Sequence, residues 1–208
     1  MDRLITFERI TIEPPLKAIY RRLGYRKGLT QVRPDEARTL GDRIEQARAL
    51  ITLKGAARRL PILSKDSRQI RLPGDRILES TRLAALLKDS REVILLGATA
   101  GPAVIEAIRR DTAENNLTRA VVLDAAASEM VDAALDWMET FFGRQLRREG
   151  RRLTRSRFSC GYGDLALENQ KLFYELLELG RLGVELTERY ILVPEKSVTA
   201  AAGIETIA

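Results

Sequence analysis

The residues of this 208-residue sequence best suited to chemistry lie at 157–164, Arg-Phe-Ser-Cys-Gly-Tyr-Gly-Asp. Arg157 offers a planar, permanently charged fork for a carboxylate or phosphate. Five positions on, Tyr162 offers an amphipathic ring for a flat or soft-cation group. Gly161 and Gly163 permit positive φ and let the main chain approach a ligand closely. A plainer reading stands beside this one: a tight turn whose arginine faces solvent. Cys160 would act as a nucleophile only if nearby arginines or a helix N-terminus activated it, so a small buried residue is the simpler reading.

Missing residue types narrow the chemistry further. With no histidine in the sequence, Ser-His-Asp and Cys-His catalysis, histidine metal ligation and a histidine pH switch are excluded. One cysteine excludes an intrachain disulfide, a C-x-x-C pair and a cysteine zinc site, which favours a reducing compartment. No secretory leader is read at 1–9 and no apolar run approaches the ~20 residues of a membrane span. A cytoplasmic protein is expected, with no metal and no membrane partner.

The net charge of +6 is local: the seven arginines of 144–157, offset only by Glu149, account for all of it. No aromatic residue lies within that run, so the stacking platforms of a single-strand binder are missing and no nucleic-acid partner is expected. A solvated helix end, a phosphate track and a dock for an acidic protein are the readings left for it.

Hydrophobic patterning supplies the elements that must hold these residues. Residues 4–12 are rich in β-branched side chains and stop at Pro14-Pro15, as an edge strand does. Ala37, Leu40, Ile44, Ala47 and Ile51 recur at steps of three and four, which predicts a helix from Pro34. Short strands are expected at 60–63 and 69–72, and the Pro73-Gly74-Asp75 turn before 76–78 completes a small antiparallel unit. After a short helix at 80–87, a buried strand at 93–96 runs into Gly97-Ala98-Thr99-Ala100-Gly101-Pro102. Two glycines without a third, and without Lys-Ser/Thr, fit neither the dinucleotide fingerprint nor the phosphate loop. A structural turn is expected there, with Pro102 opening a helix capped by Thr99 or Gly101.

The longest element is a helix near 120–148. Val131, Leu135, Met138, Phe142 and Leu146 form its apolar stripe, and Glu129, Asp132, Asp136 and Glu139 an acidic stripe rotated by about 100°. Each acid reads as solvated unless it meets a basic residue or a ligand across a cleft. A further helix is expected at 167–179, with Leu172, Phe173, Leu176 and Leu177 inward and Gly180 as its C-terminal cap. Residues 190–193 then extend to Pro194, and 197–204 return beside them as a hairpin. Helices mixed with short strands, without βαβ alternation, predict an α+β fold: a single domain with a twisted antiparallel sheet flanked by helices, including one long helix near 120–148.

Several segments, in order, resemble the activation domain of cobalamin-dependent methionine synthase in its separate, free-standing form. They are 157–164 as above, Gly-Val-Glu-Leu-Thr-Glu-Arg-Tyr at 183–190 and Val-Pro-Glu-Lys-Ser-Val-Thr at 193–199. Leu-Leu-Gly-Ala-Thr-Ala-Gly at 95–101, Leu-Asp-Ala-Ala-Ala-Ser-Glu at 123–129 and Tyr-Arg-Arg-Leu-Gly-Tyr at 20–25 are similar too. The likeness is strongest over 91–203, with 1–90 as a helix and hairpin N-terminal part of one activation-like domain spanning 1–208.

What the resemblance implies is S-adenosylmethionine binding. Arg157 and Tyr162 fall on the family's Arg-x-x-x-Gly-Tyr ligand motif, which also takes in Cys160 and Gly161, and Asp132 falls where the family carries an acid on the preceding helix. Arg157 is then expected to hold the methionine carboxylate, Tyr162 to line the site and Asp132 to meet the ammonium or sulfonium charge. In the family, a methyl group from S-adenosylmethionine and an electron from a flavodoxin-like or other reductant restore methylcobalamin from inactive cob(II)alamin. The expected partner is thus a cobalamin-carrying methionine synthase that lacks its own activation domain, and the chain a component of that methyltransferase. The family's C-terminal tyrosine-bearing segment and an aspartate from the start of the embedded domain have no counterpart here, so the partner is expected to complete the site or the affinity to be lower. Arg147, Arg148, Arg151 and Arg152 are expected to steer an acidic reductant or synthase module. The alternative is a corrinoid-protein adaptor with the same fold and no S-adenosylmethionine binding. Methyl transfer from a sulfonium suits a chain without histidine, because the thioether leaves neutral and alignment alone suffices.

Overall fold

The computed structural model describes residues 3–26, 29–30 and 33–207; of the stretch 1–9, residues 1 and 2 lie outside the described residues. In chain order, β1 (Arg3–Phe7), α1 (Leu16–Arg22) and α2 (Pro34–Leu50) precede the long strand β2 (Lys54–Pro61). The strands β3 (Ser64–Lys65), β4 (Gln69–Leu72) and β5 (Arg76–Glu79) lead through the short helix α3 (Thr81–Leu86) to β6 (Glu92–Thr99). Next come α4 (Pro102–Ala113), α5 (Leu117–Arg148), β7 (Arg151–Leu153) and α6 (Gln170–Leu176). The last strands are β8 (Glu185–Leu186), β9 (Leu192–Val193) and β10 (Ser197–Thr206).

The main sheet has the order β1-β2-β6-β10-β7, and every neighbouring pair is antiparallel. Two small sheets, β3-β4-β5 and β8-β9, stand apart from it. Side chains alternate between the faces of a strand. Ile94, Leu96 and Ala98 of β6, with Ala200, Ala202 and Ile204 of β10, therefore enter a core shared with α1, α2, α4 and α5. Val93, Leu95 and Ala201 enter a second core with α3, α6 and the β4-β5 pair. A sheet covered on both faces needs strands that are apolar throughout, and that is how β6 and β10 read.

The α+β class, the antiparallel sheet and the long helix stand as expected. Helix α5 spans 32 residues, and Val131, Leu135, Met138, Phe142 and Leu146 are all buried. Helix α2 begins at Pro34, and β1 lies at the sheet edge but ends at Phe7, where its pairing with Gly55 of β2 stops. Among the described residues, no helix is long and apolar enough to cross a membrane.

Four local expectations are corrected. The strand expected at 60–63 is the end of β2, whose Gly55-Ala56-Ala57 start carries little strand signal. Gly55 has no side chain because α5 packs close: a Cβ there would lie 2.9 Å from Met138 Sδ. Gly97 belongs to β6 and not to a turn, since a Cβ there would lie 2.8 Å from Leu179 Cδ2; Gly101 alone turns the chain, at φ 80°, before Pro102. Helix α6 stops at Leu176, and Glu178 rather than Gly180 takes the left-handed conformation, at φ 49°, which delivers Leu179 to the space beneath Gly97. Finally, 197–204 do not return beside 190–193: β9 pairs with β8, and β10 lies between β6 and β7. An alanine-rich strand buried on both faces belongs in the middle of a sheet, not in a two-stranded ribbon.

Candidate functional site

Segment 157–164 is fastened at both ends. Phe158 N–H donates to Ala201 O at 2.9 Å and Ala201 N–H donates back to Phe158 O at 2.8 Å, which lays the segment along β10. A compact turn follows, with Gly161 N–H donating to Leu165 O at 2.8 Å and with Gly161 at φ 81° and Gly163 at φ 57°. Asp164 then accepts the Ser80 hydroxyl at 2.5 Å and the Thr81 N–H at 2.7 Å, pinning the far end to the start of α3. The Ser80 hydrogen bond leads the effects that hold the Asp164 carboxyl below the ordinary carboxylate range. Asp164 is thus an anchor of the turn.

The fastened turn forms one wall of a hollow of about 630 Å³, closed by α5 and the start of β10. Arg157, Cys160, Tyr162 and Asp132 all line it, while Gly161 shapes the turn without lining the hollow. Tyr162 is 71% exposed, so its ring stands at the rim. Cys160 is buried, and burial pushes its thiol up to about 12. A thiol so far from ionisation is no nucleophile.

Arg157 faces the acidic stripe of α5. Its Nη1 donates to Asp136 Oδ1 and, at 2.9 Å, to Glu139 Oε2. Nη2 reaches the Asp132 carbonyl and Oδ1 at 3.4 and 3.5 Å, long for hydrogen bonds. Burial works against the guanidinium charge, yet the Asp136 hydrogen bond and the fields of Glu139, Asp136 and Asp132 outweigh it and raise the Arg157 pKa. Burial leads the effects that raise the Glu139 carboxyl; the charge and hydrogen bond of Arg157 work against it, and Asp136 adds to the rise. The cluster is one cation among three carboxylates, and it borders a concave surface.

Further residues of the hollow were not singled out by residue type or spacing. Arg22 arrives from α1 and pairs with Glu129 at 2.5 Å. Lys196, from the loop before β10, pairs with Asp124 at 2.7 Å. Gln170 and Thr199 form a buried pair at 2.8 Å on the floor beside Cys160. Arg22 lies in 20–25 and Lys196 and Thr199 in 193–199, segments that carry the resemblance; Gln170 had no such signal.

Of the arginine run, Arg157 alone is placed in this hollow; Arg147, Arg148, Arg151 and Arg152 do not line it. Arg147 and Arg148 are exposed at the end of α5, and Arg147 lines a separate depression with Asp136 and Glu139. Arg151 binds Glu92 and lies 3.9 Å from Glu149, and Arg152 binds Glu205 at 3.1 Å. Among the described residues, no group of three or more cysteine or acidic side chains is arranged to hold a metal ion.

No protein-family model matches the chain, and no curated protein matches it. The arrangement of layers does have a solved counterpart: a crystal structure of the MetH reactivation domain bound to AdoHcy superposes with a TM-score of 0.68. The superposition covers 98% of this chain and 78% of that one at 14% sequence identity. The two share a fold, and the resemblance read from the sequence points to the same kind of domain.

Proposed function

We propose that this chain binds S-adenosylmethionine in the hollow beside 157–162 and serves as the reactivation subunit of a cobalamin-dependent methionine synthase that lacks its own activation domain. The observation that carries the reading is the meeting of Arg157, Asp132 and Tyr162 in one hollow, on the fold of a domain solved with AdoHcy. Arg157 supplies a fork for the methionine carboxylate, Asp132 an anion for the ammonium or sulfonium, and Tyr162 a ring at the rim. The turn at Cys160 and Gly161 brings main chain to the ligand's edge. A volume of about 630 Å³ is of the size that takes a nucleoside-sized ligand.

The donated group is a methyl cation equivalent, passed to reduced cobalt on the partner while the thioether leaves neutral; the electron that reduces the cobalt comes from a flavodoxin-like or other reductant. This chain's part is to bind, to orient the sulfonium outward and to dock. Arg147, Arg148, Arg151 and Arg152 form the docking surface for an acidic partner, with Arg147, Arg148 and Arg152 exposed and Arg151 half-buried. The cytoplasm is the compartment where such a partner and a reduced Cys160 coexist.

One observation favours the second reading, a corrinoid-protein adaptor without S-adenosylmethionine binding: Arg157 already has carboxylate partners within its own chain. Calorimetric titration separates the two. Saturable heat with S-adenosylmethionine, lost in Arg157→Ala, supports the ligand reading. An absence of binding by the wild-type protein overturns it in favour of the adaptor.

A further inference from the structure

The geometry points to Asp136 and Glu139 as positioning residues that clamp one end of the Arg157 guanidinium so that its other edge stays open to a ligand carboxylate. This rests on the ligand reading above and assigns a role to two acids that do not line the ligand's hollow. A guanidinium carries five N–H donors and two usable forks, one across Nη1 and Nη2 and one across Nε and Nη2. Both hydrogens of Nη1 are taken, by Asp136 and by Glu139 at 2.9 Å. Nη2 has only the long contacts to Asp132 at 3.4 and 3.5 Å, and Nε makes no hydrogen bond with the described residues. The Nε and Nη2 edge is therefore the fork still available. Arg157 lines the ligand hollow, whereas Asp136 and Glu139 line a separate depression.

Such a clamp does two things. It removes rotamer freedom from a long side chain before the ligand arrives, which is the usual gain of preorganisation. It also leaves the cluster net negative, which suits a ligand whose carboxylate is outnumbered by an ammonium and a sulfonium. A carboxylate without those cations would meet Asp132, Asp136 and Glu139 with nothing to balance them. The acids thus admit an amino-acid end that bears extra positive charge and disfavour a simple anion.

The test is a double-mutant cycle read by NMR titration with S-adenosylmethionine, which follows binding even when it is weak. Glu139→Gln is made in the wild-type protein and in Arg157→Ala; Asp136→Asn, at an exposed site, is the second variant should Glu139→Gln fold poorly. Either substitution is expected to weaken binding about tenfold in the wild-type background, the size of one charge-assisted hydrogen bond. In the Arg157→Ala background the same substitution is expected to change affinity less than about twofold, because the acids act through the arginine. Unchanged or tighter binding in the wild-type background overturns the clamp and makes the acids competitors. Equal weakening in both backgrounds also overturns it and makes them direct coulombic partners of the ligand. A wild-type protein that does not bind overturns the ligand reading, and the clamp with it.

Discussion

Two clusters of arginine and carboxylate in this molecule differ in charge balance, one neutral and one net negative. In the first, Arg59 of β2 forms a two-pronged pair with Glu92 of β6 at 2.8 Å and reaches Glu149 at 3.0 Å, while Arg151 of β7 also binds Glu92. Two cations meet two anions, and the ties run between strands of the main sheet and the end of α5. The second holds Arg157 among Asp132, Asp136 and Glu139. Its charges do not cancel, the Nε of its central guanidinium hydrogen-bonds to none of the described residues, and it borders a hollow of about 630 Å³, against about 120 Å³ beside Arg59 and Glu149. The hydrogen bond from Arg59 leads the effects that lower the Glu92 pKa, whereas burial leads those that raise Glu139. Ion pairing alone does not mark a site; an unbalanced pairing beside a concave surface makes a candidate for one.

The largest expected effect is on ligand binding. Arg157→Ala should weaken S-adenosylmethionine by about a hundredfold, the effect of truncating one partner of a hydrogen-bonded charge pair, while Glu92→Gln should leave affinity within about twofold. Calorimetry on both variants checks this, and equal losses would erase the distinction between the clusters.

Stability should show the reverse order and opposite pH signs. Glu92→Gln is expected to lower stability by about 1–3 kcal/mol at neutral pH, read as a fall of several degrees in Tm. Because folding lowers the Glu92 pKa from 4.5, its contribution is present above that value and lost as the pH falls through the native one, so the gap to wild type should close in acid. Folding raises the Glu139 pKa, so its favourable contribution is present in acid and lost as the pH rises through the raised value. Glu139→Gln should therefore gain on wild type as the pH rises. Melting curves of the three proteins from acid to neutral pH give both slopes.

The smallest expected effect is kinetic. Arg147→Gln with Arg148→Gln should slow reactivation of a partner synthase a few-fold at low salt and little at high salt, as expected for steering between exposed charges. Equal rates of the variant and the wild type at low salt would remove these arginines from the docking surface.

How much of this was legible in the sequence depended on how far each signal reached along the chain. Helices α2 and α5 were, because a buried stripe repeats every three or four residues whatever lies opposite. The position of β10 was not. Its run of small residues is explained only by β6 on one side, β7 on the other and cores on both faces. The leucine that fills the space at Gly97 lies more than eighty positions away, and no local pattern reports it. In the site, Arg157 and Tyr162 stood out by type and spacing, and the acidic stripe was visible as a stripe. That three of its four acids converge on Arg157 required the turn at 157–164 to be folded against α5. Gln170 was invisible because a single glutamine at a helix start has no signature until it is found buried against Thr199.

The most direct measurement is a crystal structure of the protein grown with S-adenosylmethionine. The ligand should lie in the hollow with its carboxylate on the Nε and Nη2 edge of Arg157, its ammonium toward Asp132 and its methyl group facing outward. A ligand held elsewhere, or a methyl group buried against the protein, would contradict the proposed role.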